Sequence, residues 1–161
     1  MALGGVAHYL NLVPKGKSSA EIISKLFFSD QAPLIAEFNR LYESLFNKPS
    51  KHIEVIKKLS KTNQGLTQAE LFAPHTSLSP GGGSVTILEE LESCGFILKT
   101  PQFEKKKQDS RYRLIDAFSL FYLKWVEDIG EVSKLYWTRK MGSSKYNVWA
   151  GYAFENVCFQ H

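Results

Sequence analysis

The sequence predicts a mainly α fold with one small β-hairpin, an α+β class, and three observations carry that reading. From Ser50 to Ser93 apolar residues recur at three- and four-residue spacing. From Phe96 to Ile115 the period shortens to two on either side of a lysine-rich loop. Glycine and proline fall where the pattern changes, at Gly65, Pro74, Gly81 to Gly83 and Gly95.

The amino-terminal part reads as helical. Val6 to Val13 is short and apolar, and Ser18 with Glu21 has capping-box spacing ahead of Ile22, Ile23, Leu26 and Phe27. An amphipathic helix from Pro33 to Phe46 carries Leu34, Phe38, Leu41 and Leu45 on one side. Residues 1–49 are too few to fill a core alone, so this segment is expected to pack on the residues that follow it or on something absent from this chain.

The next helix spans Ser50 to Leu59, with Ser50 as amino cap, Ile53, Ile56 and Leu59 as its apolar stripe, and His52 facing solvent among lysines. Asn63-Gln64-Gly65 breaks it. A short helix over Leu66 to Leu71 follows, with Thr67 and Glu70 spaced as a capping box and Pro74 ending it. A third helix runs from Ser79 to Cys94, burying Ile87 or Leu88, Leu91 and Cys94, and Gly95 closes it. Phe96 to Thr100 and Ser110 to Ile115 alternate as strands. Pro101 to Asp109, with three successive lysines, cannot bury itself and is expected to stand out as a hairpin tip. A helix from Asp116 to Ile129 bears an aromatic stripe of Phe118, Phe121, Tyr122, Trp125 and Val126. Core packing is its default role, and a homodimer face its alternative. Beyond it, Thr138 to Asn147 reads as a basic linker leading to a last helix.

Helix, turn, short helix, glycine-opened helix and a hairpin with a charged tip is the order of a winged helix-turn-helix. We therefore expect three segments: a helical segment at 1–49, a winged helix at 50–129, and a linker with one further helix at 130–161. Such a module usually presents its third helix and its wing to duplex DNA. Double-stranded DNA is thus the expected partner, met by Lys105, Lys106, Lys107 and Arg111 on phosphates. Gly82 and Gly83 would let backbone N–H groups approach a phosphate, and Ser84 and Thr86, with Thr67 and Gln68 nearby, would lie close to the bases. Glu89, Glu90 and Glu92 repel DNA along the later turns of that helix. They favour the rival reading, a protein-interaction or interdomain adaptor.

The 161 residues, 43% of them hydrophobic, can bury a core, and a net charge of +4 permits an acidic partner without requiring one. Cys94 and Cys158 are expected as buried free thiols in a reducing compartment. No apolar run approaches the roughly 20 residues that span a bilayer, so no membrane partner and a cytoplasmic location are expected. Asn11-Leu12-Val13-Pro14-Lys15-Gly16-Lys17-Ser18 ends like a phosphate-binding loop, yet Asn11 stands where the first glycine belongs and Pro14 removes a donor. A residual ATP-binding fragment is the second alternative. His8, His52, His75 and His161 show no metal-ligand spacing, and neither cysteine has a histidine that sequence pairs with it. No catalytic residue, cofactor or metal is assigned, and the chain is expected not to be an enzyme.

Gly4-Gly5-Val6-Ala7-His8-Tyr9-Leu10, the winged-helix pattern, Tyr112 to Asp116 with Phe118 to Tyr122, and Trp149 to Glu155 occur in an order that resembles the prokaryotic archaeal-type AAA+ ATPases. The resemblance covers nearly the whole chain but only the carboxyl-terminal portion of that family. It implies a lid, a winged helix and the first helix of a restriction-endonuclease-like domain, in a parent protein that couples ATP hydrolysis to a DNA- or partner-binding module. ATPase activity is not carried over, because the phosphate-binding loop is incomplete. Glu155 matches an acidic residue of the nuclease-like domain's opening helix, and the chain stops before the other residues such a site needs. A fragment of a longer protein is the expectation.

Overall fold

The computed structural model describes residues 1–73, 82–101, 110–130 and 133–160. The described residues are mainly helical, with a small three-stranded antiparallel sheet, consistent with the α+β expectation. Two units form by packing: Tyr42–Asp116, and Met1–Leu41 together with the residues from Ala117 onward. The segments drawn along the sequence at 1–49, 50–129 and 130–161 followed chain order, whereas packing returns the aromatic helix after Asp116 to the amino-terminal helices.

In the unit from Tyr42 to Asp116 the chain order is α4 (Pro49–Leu59), β1 (Leu66–Thr67), α5 (Gln68–Leu71), α6 (Gly82–Ser93), β2 (Ile97–Thr100) and β3 (Arg111–Leu114). Helix α4 begins one residue before the expected cap. Pro49 occupies its first turn and Lys48 precedes it without a side-chain cap, because the fixed φ of proline starts a helix without needing Ser50. Its buried face is His52, Val55, Ile56 and Leu59, so His52 turns inward rather than to solvent. Strand β1 falls where sequence placed the start of a helix. Leu66 pairs with Tyr112 and Thr67 with Arg111, giving the sheet order β1-β3-β2. Two residues are too short to display a period of two. Gly65 makes the pairing possible, since its φ is +72° and a Cβ there would lie 2.6 Å from the Tyr112 carbonyl oxygen.

Helix α5 has the expected cap: the Glu70 N–H donates to Thr67 Oγ1 at 3.3 Å, and the Thr67 N–H donates to the Glu70 carboxylate at 2.7 Å. Helix α6 closes in a Schellman turn at Gly95, φ +76°. There the Phe96 N–H donates to Leu91 O at 2.9 Å and the Gly95 N–H to Glu92 O at 3.0 Å. Ile87, Leu88 and Leu91 are buried, but Cys94 is exposed, because α6 ends at Ser93 and Cys94 already belongs to the turn. Phe96 then packs on Tyr42, ring centroids 4.8 Å apart, and seals this core.

The other unit is built on aromatic rings. It contains α1 (Ala7–Asn11), α2 (Ser19–Phe27), the first turns of α3 (Glu37–Leu45), α7 (Ala117–Trp125), α8 (Tyr136–Lys140) and α9 (Ser144–Gln160). Phe27 lies 4.7 Å from Phe121, Tyr9 4.9 Å from Phe118, and Phe38 stacks on Tyr122 at 4.7 Å. Phe118 and Phe121 are fully buried and Trp125 and Val126 nearly so, which corrects the expectation of a homodimer face from Phe118 to Val126. That stripe is already covered within its own unit, Phe118 and Phe121 by Tyr9 and Phe27, Tyr122 by Phe38, and Trp125 by Trp137 and Trp149. Along α3 and its flanks the buried residues are Leu34, Phe38, Tyr42 and Phe46, while Leu45 is exposed. The four-residue spacing Leu34, Phe38, Tyr42, Phe46, not Leu41 and Leu45, sets the inward face. Thr138 to Asn147, read as a linker, is mostly helix: α8 ends, the chain turns at Gly142 with φ +77°, and α9 begins. Cys158 is exposed on α9, so neither cysteine is the buried thiol expected. Among the described residues no helix is long and apolar enough to cross a membrane.

Candidate nucleic-acid interface

Helix α6 decides which of the expected contacts are accessible, because its core stripe extends one turn further back than sequence suggested. Ser84 stands three and four residues before Ile87 and Leu88, so it shares their face and is only 3% exposed. There its hydroxyl accepts from Gln68 Nε2 at 3.3 Å, which ties α5 to α6. Ser84 and Gln68 therefore serve the helix–helix contact, and the expectation that Ser84 reaches bases is corrected. Counting back by threes and fours from Leu91 would have found this. Gly82 opens the helix, and Gly83, Val85 and Thr86 are exposed on its first turns. Thr86 and the backbone at Gly83 are the expected contact groups of α6 that remain at the surface.

Glu89, Glu90 and Glu92 are also exposed on α6. Glu90 is engaged: its Oε2 accepts from His52 Nε2 at 2.7 Å, and His52 Nδ1 lies 3.2 Å from the Lys48 carbonyl. The His52 ring stacks on Phe46 at 4.0 Å between centroids, 11° from parallel. This arrangement fastens α4 to α6 and withdraws one carboxylate from the outer face.

Thr67 is committed to the α5 cap, and the same bonds hold the Glu70 carboxyl below the usual carboxylate range, chiefly through the Thr67 backbone N–H. Arg111 lies on β3 with its Nη1 donating to Gly65 O at 2.8 Å and 3.9 Å from Glu70 Oε2. Its guanidinium is therefore anchored to the sheet edge and partly balanced. Arg113 follows on the same face, two residues on, as the alternation required. Lys105, Lys106 and Lys107 lie outside the described residues, as do Gly81, Pro74 and His75. The structure adds two lysines that sequence reading passed over. Lys99 stands 5.7 Å from the Tyr112 ring centroid on β2. Lys58 Nζ donates to the carbonyls of Glu70 and Leu71, the latter at 2.5 Å, closing the end of α5.

The Gly16-Lys17-Ser18 segment is used otherwise than in a phosphate cradle. Ser18 Oγ accepts from the Glu21 N–H at 3.3 Å, the Ser18 N–H donates back at 2.9 Å, and Lys17 pairs with Glu21 at 3.1 Å. These contacts, led by the Ser18 backbone N–H, hold the Glu21 carboxyl down at about 2. Among the described residues no group of three or more His, Cys, Asp or Glu side chains is placed to hold a metal ion. In comparisons with known proteins, no family model, no curated protein and no solved structure matches the chain.

Proposed function

We propose that residues 42–116 are a winged-helix module that contacts duplex DNA through its phosphates, as the binding part of an AAA+ ATPase-type protein rather than as an enzyme. The observation that carries the reading is the chain order α4-β1-α5-α6-β2-β3 with β3 in the middle of the sheet. That is the topology in which a winged helix sets its third helix beside a hairpin. Phosphate contact is assigned to Lys105, Lys106 and Lys107 from sequence, together with Lys99 and Arg113 on the strands and the α6 backbone at Gly83. Base reading has little to work with, since Ser84 is buried and the outer face of α6 carries carboxylates. The contact is therefore sequence-independent. The family reading, with residues 1–49 as lid, rests on the sequence resemblance.

The exposed carboxylates Glu89 and Glu92 support a second reading, in which α6 docks a basic protein surface and the module joins protein parts. Fluorescence anisotropy with a labelled duplex over a salt series separates the two. With Lys105→Ala, Lys106→Ala and Lys107→Ala combined, binding should weaken equally for unrelated sequences. The slope of log K against log salt should flatten by about 0.9 per lost phosphate contact. Unchanged binding in that variant removes the wing from the interface. No duplex binding by the unaltered chain at low salt leaves the adaptor reading.

A further inference from the structure

The segment from Ser133 to Phe154 holds Lys134, Arg139, Lys140 and Lys145 and no aspartate or glutamate. Of the 20 basic residues the other 16 are matched by 16 acidic ones, so the whole formal excess of +4 lies in this stretch. Sequence reading treated part of it as a linker. The structure instead folds it into α8, a turn at Gly142 and the start of α9.

The turn is built so that its cations stand in fixed places. Ser143 Oγ donates to Lys140 O at 2.7 Å and accepts from the Tyr146 N–H at 3.2 Å, pinning both sides of the corner. Lys140 Nζ rests 5.5 Å from the Tyr136 ring centroid, and Lys145 Nζ rests 5.0 Å from that of Trp125. Each ring attracts the ammonium and limits where its chain can go, so less side-chain entropy is lost when an anion binds. Arg139 is exposed on α8 beside them. Lys134 Nζ lies 4.0 Å from Asp30; both side chains are mostly in solvent, so the pairing neutralises little.

We infer that the α8–α9 corner, through Arg139, Lys140 and Lys145, is a second nucleic-acid surface that binds the phosphate backbone without reading sequence. The inference does not rest on the winged-helix reading, since it concerns the other unit. Several like charges held apart on one corner suit a chain of regularly spaced phosphates. A lipid surface suits it less well. Helix α8 is five residues long with Trp137 turned into the core, and the exposed Leu135, Met141 and Val148 lie on the segments flanking it rather than along one face of it. Glu155 is exposed on the following turns of α9.

The test uses the full chain carrying Arg139→Gln, Lys140→Gln and Lys145→Gln, with circular dichroism to verify folding. A control chain carries Lys15→Gln, Arg40→Gln and Lys124→Gln, which removes the same charge from exposed positions of the same unit. Anisotropy of a labelled duplex of about 20 base pairs, repeated over a salt series, should show the corner variant's slope shallower by about 2 to 3. The control should change by less than one, at ~0.9 per phosphate. Equal changes in both variants, or none in the corner variant, overturn the inference. So does binding to phosphatidylserine vesicles without binding to the oligonucleotide. If the triple variant does not fold, Lys140→Gln and Lys145→Gln are measured singly, and each should lower the slope by about one. The wing-lysine variant keeps the two ideas apart. Loss of all binding there defeats the corner alone, whereas an unaltered chain that binds no nucleic acid defeats both.

Discussion

Replacing Gly65 with alanine tests the strand that joins the hairpin to the rest of its unit. At φ +72° an L side chain costs about 1–2 kcal/mol from the clash of Cβ with its own backbone. The new Cβ would also sit 2.6 Å from Tyr112 O and 3.2 Å from Tyr112 C, both backbone atoms that cannot rotate away. Relieving that contact means lifting β1 from β3, which weakens one or two ladder hydrogen bonds at roughly 0.5–1.5 kcal/mol each. Arg111 loses its seat on Gly65 O by the same movement. Together these give about 2–4 kcal/mol. Gly95→Ala is the matched control, because Gly95 has φ +76° and nothing within 4 Å of its Cβ position, so only the torsional part applies. Urea unfolding followed by the amide resonances of residues 42–116 should place Gly65→Ala below Gly95→Ala by about 1–2 kcal/mol, the part due to the lifted strand. In a unit of this size each kcal/mol moves the melting temperature by roughly 4–8 °C. Equal losses in the two variants would refute the Leu66–Tyr112 register.

Two further outcomes follow from the side-chain bonds. Glu21 has its carboxyl at about 2 in the folded chain against an ordinary 4.5, so the stability this cap supplies is complete above the ordinary value. It should fade as pH falls from about 4.5 to about 2, and Ser18→Ala should flatten that part of an acid-unfolding curve. Glu90→Gln should cost about 1 kcal/mol and His52→Ala about 2, because the partly exposed carboxylate regains water while the ring leaves a gap beside Phe46. Chemical denaturation measures both, and a neutral His52→Ala would show that the α4–α6 tie carries no weight.

The features legible in sequence were those set by neighbours along the chain. Ser18 with Glu21 and Thr67 with Glu70 are capping boxes in the structure, and Gly95 ends α6, because each depends on residues within one turn. Strands β2 and β3 were visible as alternation. The misses share a cause, which is packing between distant segments. His52 is inside because Phe46 and Glu90, far apart in sequence, meet it there. Ser84 is inside because Gln68 crosses to it, and β1 exists because Tyr112 and Arg111 offer a free edge. The aromatic stripe of α7 was read correctly as a stripe. Its cover came from Tyr9 and Phe27, which no local period connects to it. The candidate site fared likewise: Thr86 and Gly83 stayed on the surface, while Ser84, Gln68 and Arg111 were drawn into the scaffold.

The three tryptophans, Trp125, Trp137 and Trp149, lie 5.5 to 6.0 Å apart with their planes nearly perpendicular. All belong to the unit without the sheet, and the segment from Tyr42 to Asp116 contains none. Indole emission therefore reports on the packing of that unit. Indoles this close exchange excitation, so emission is depolarised while they hold together and regains polarisation when they part.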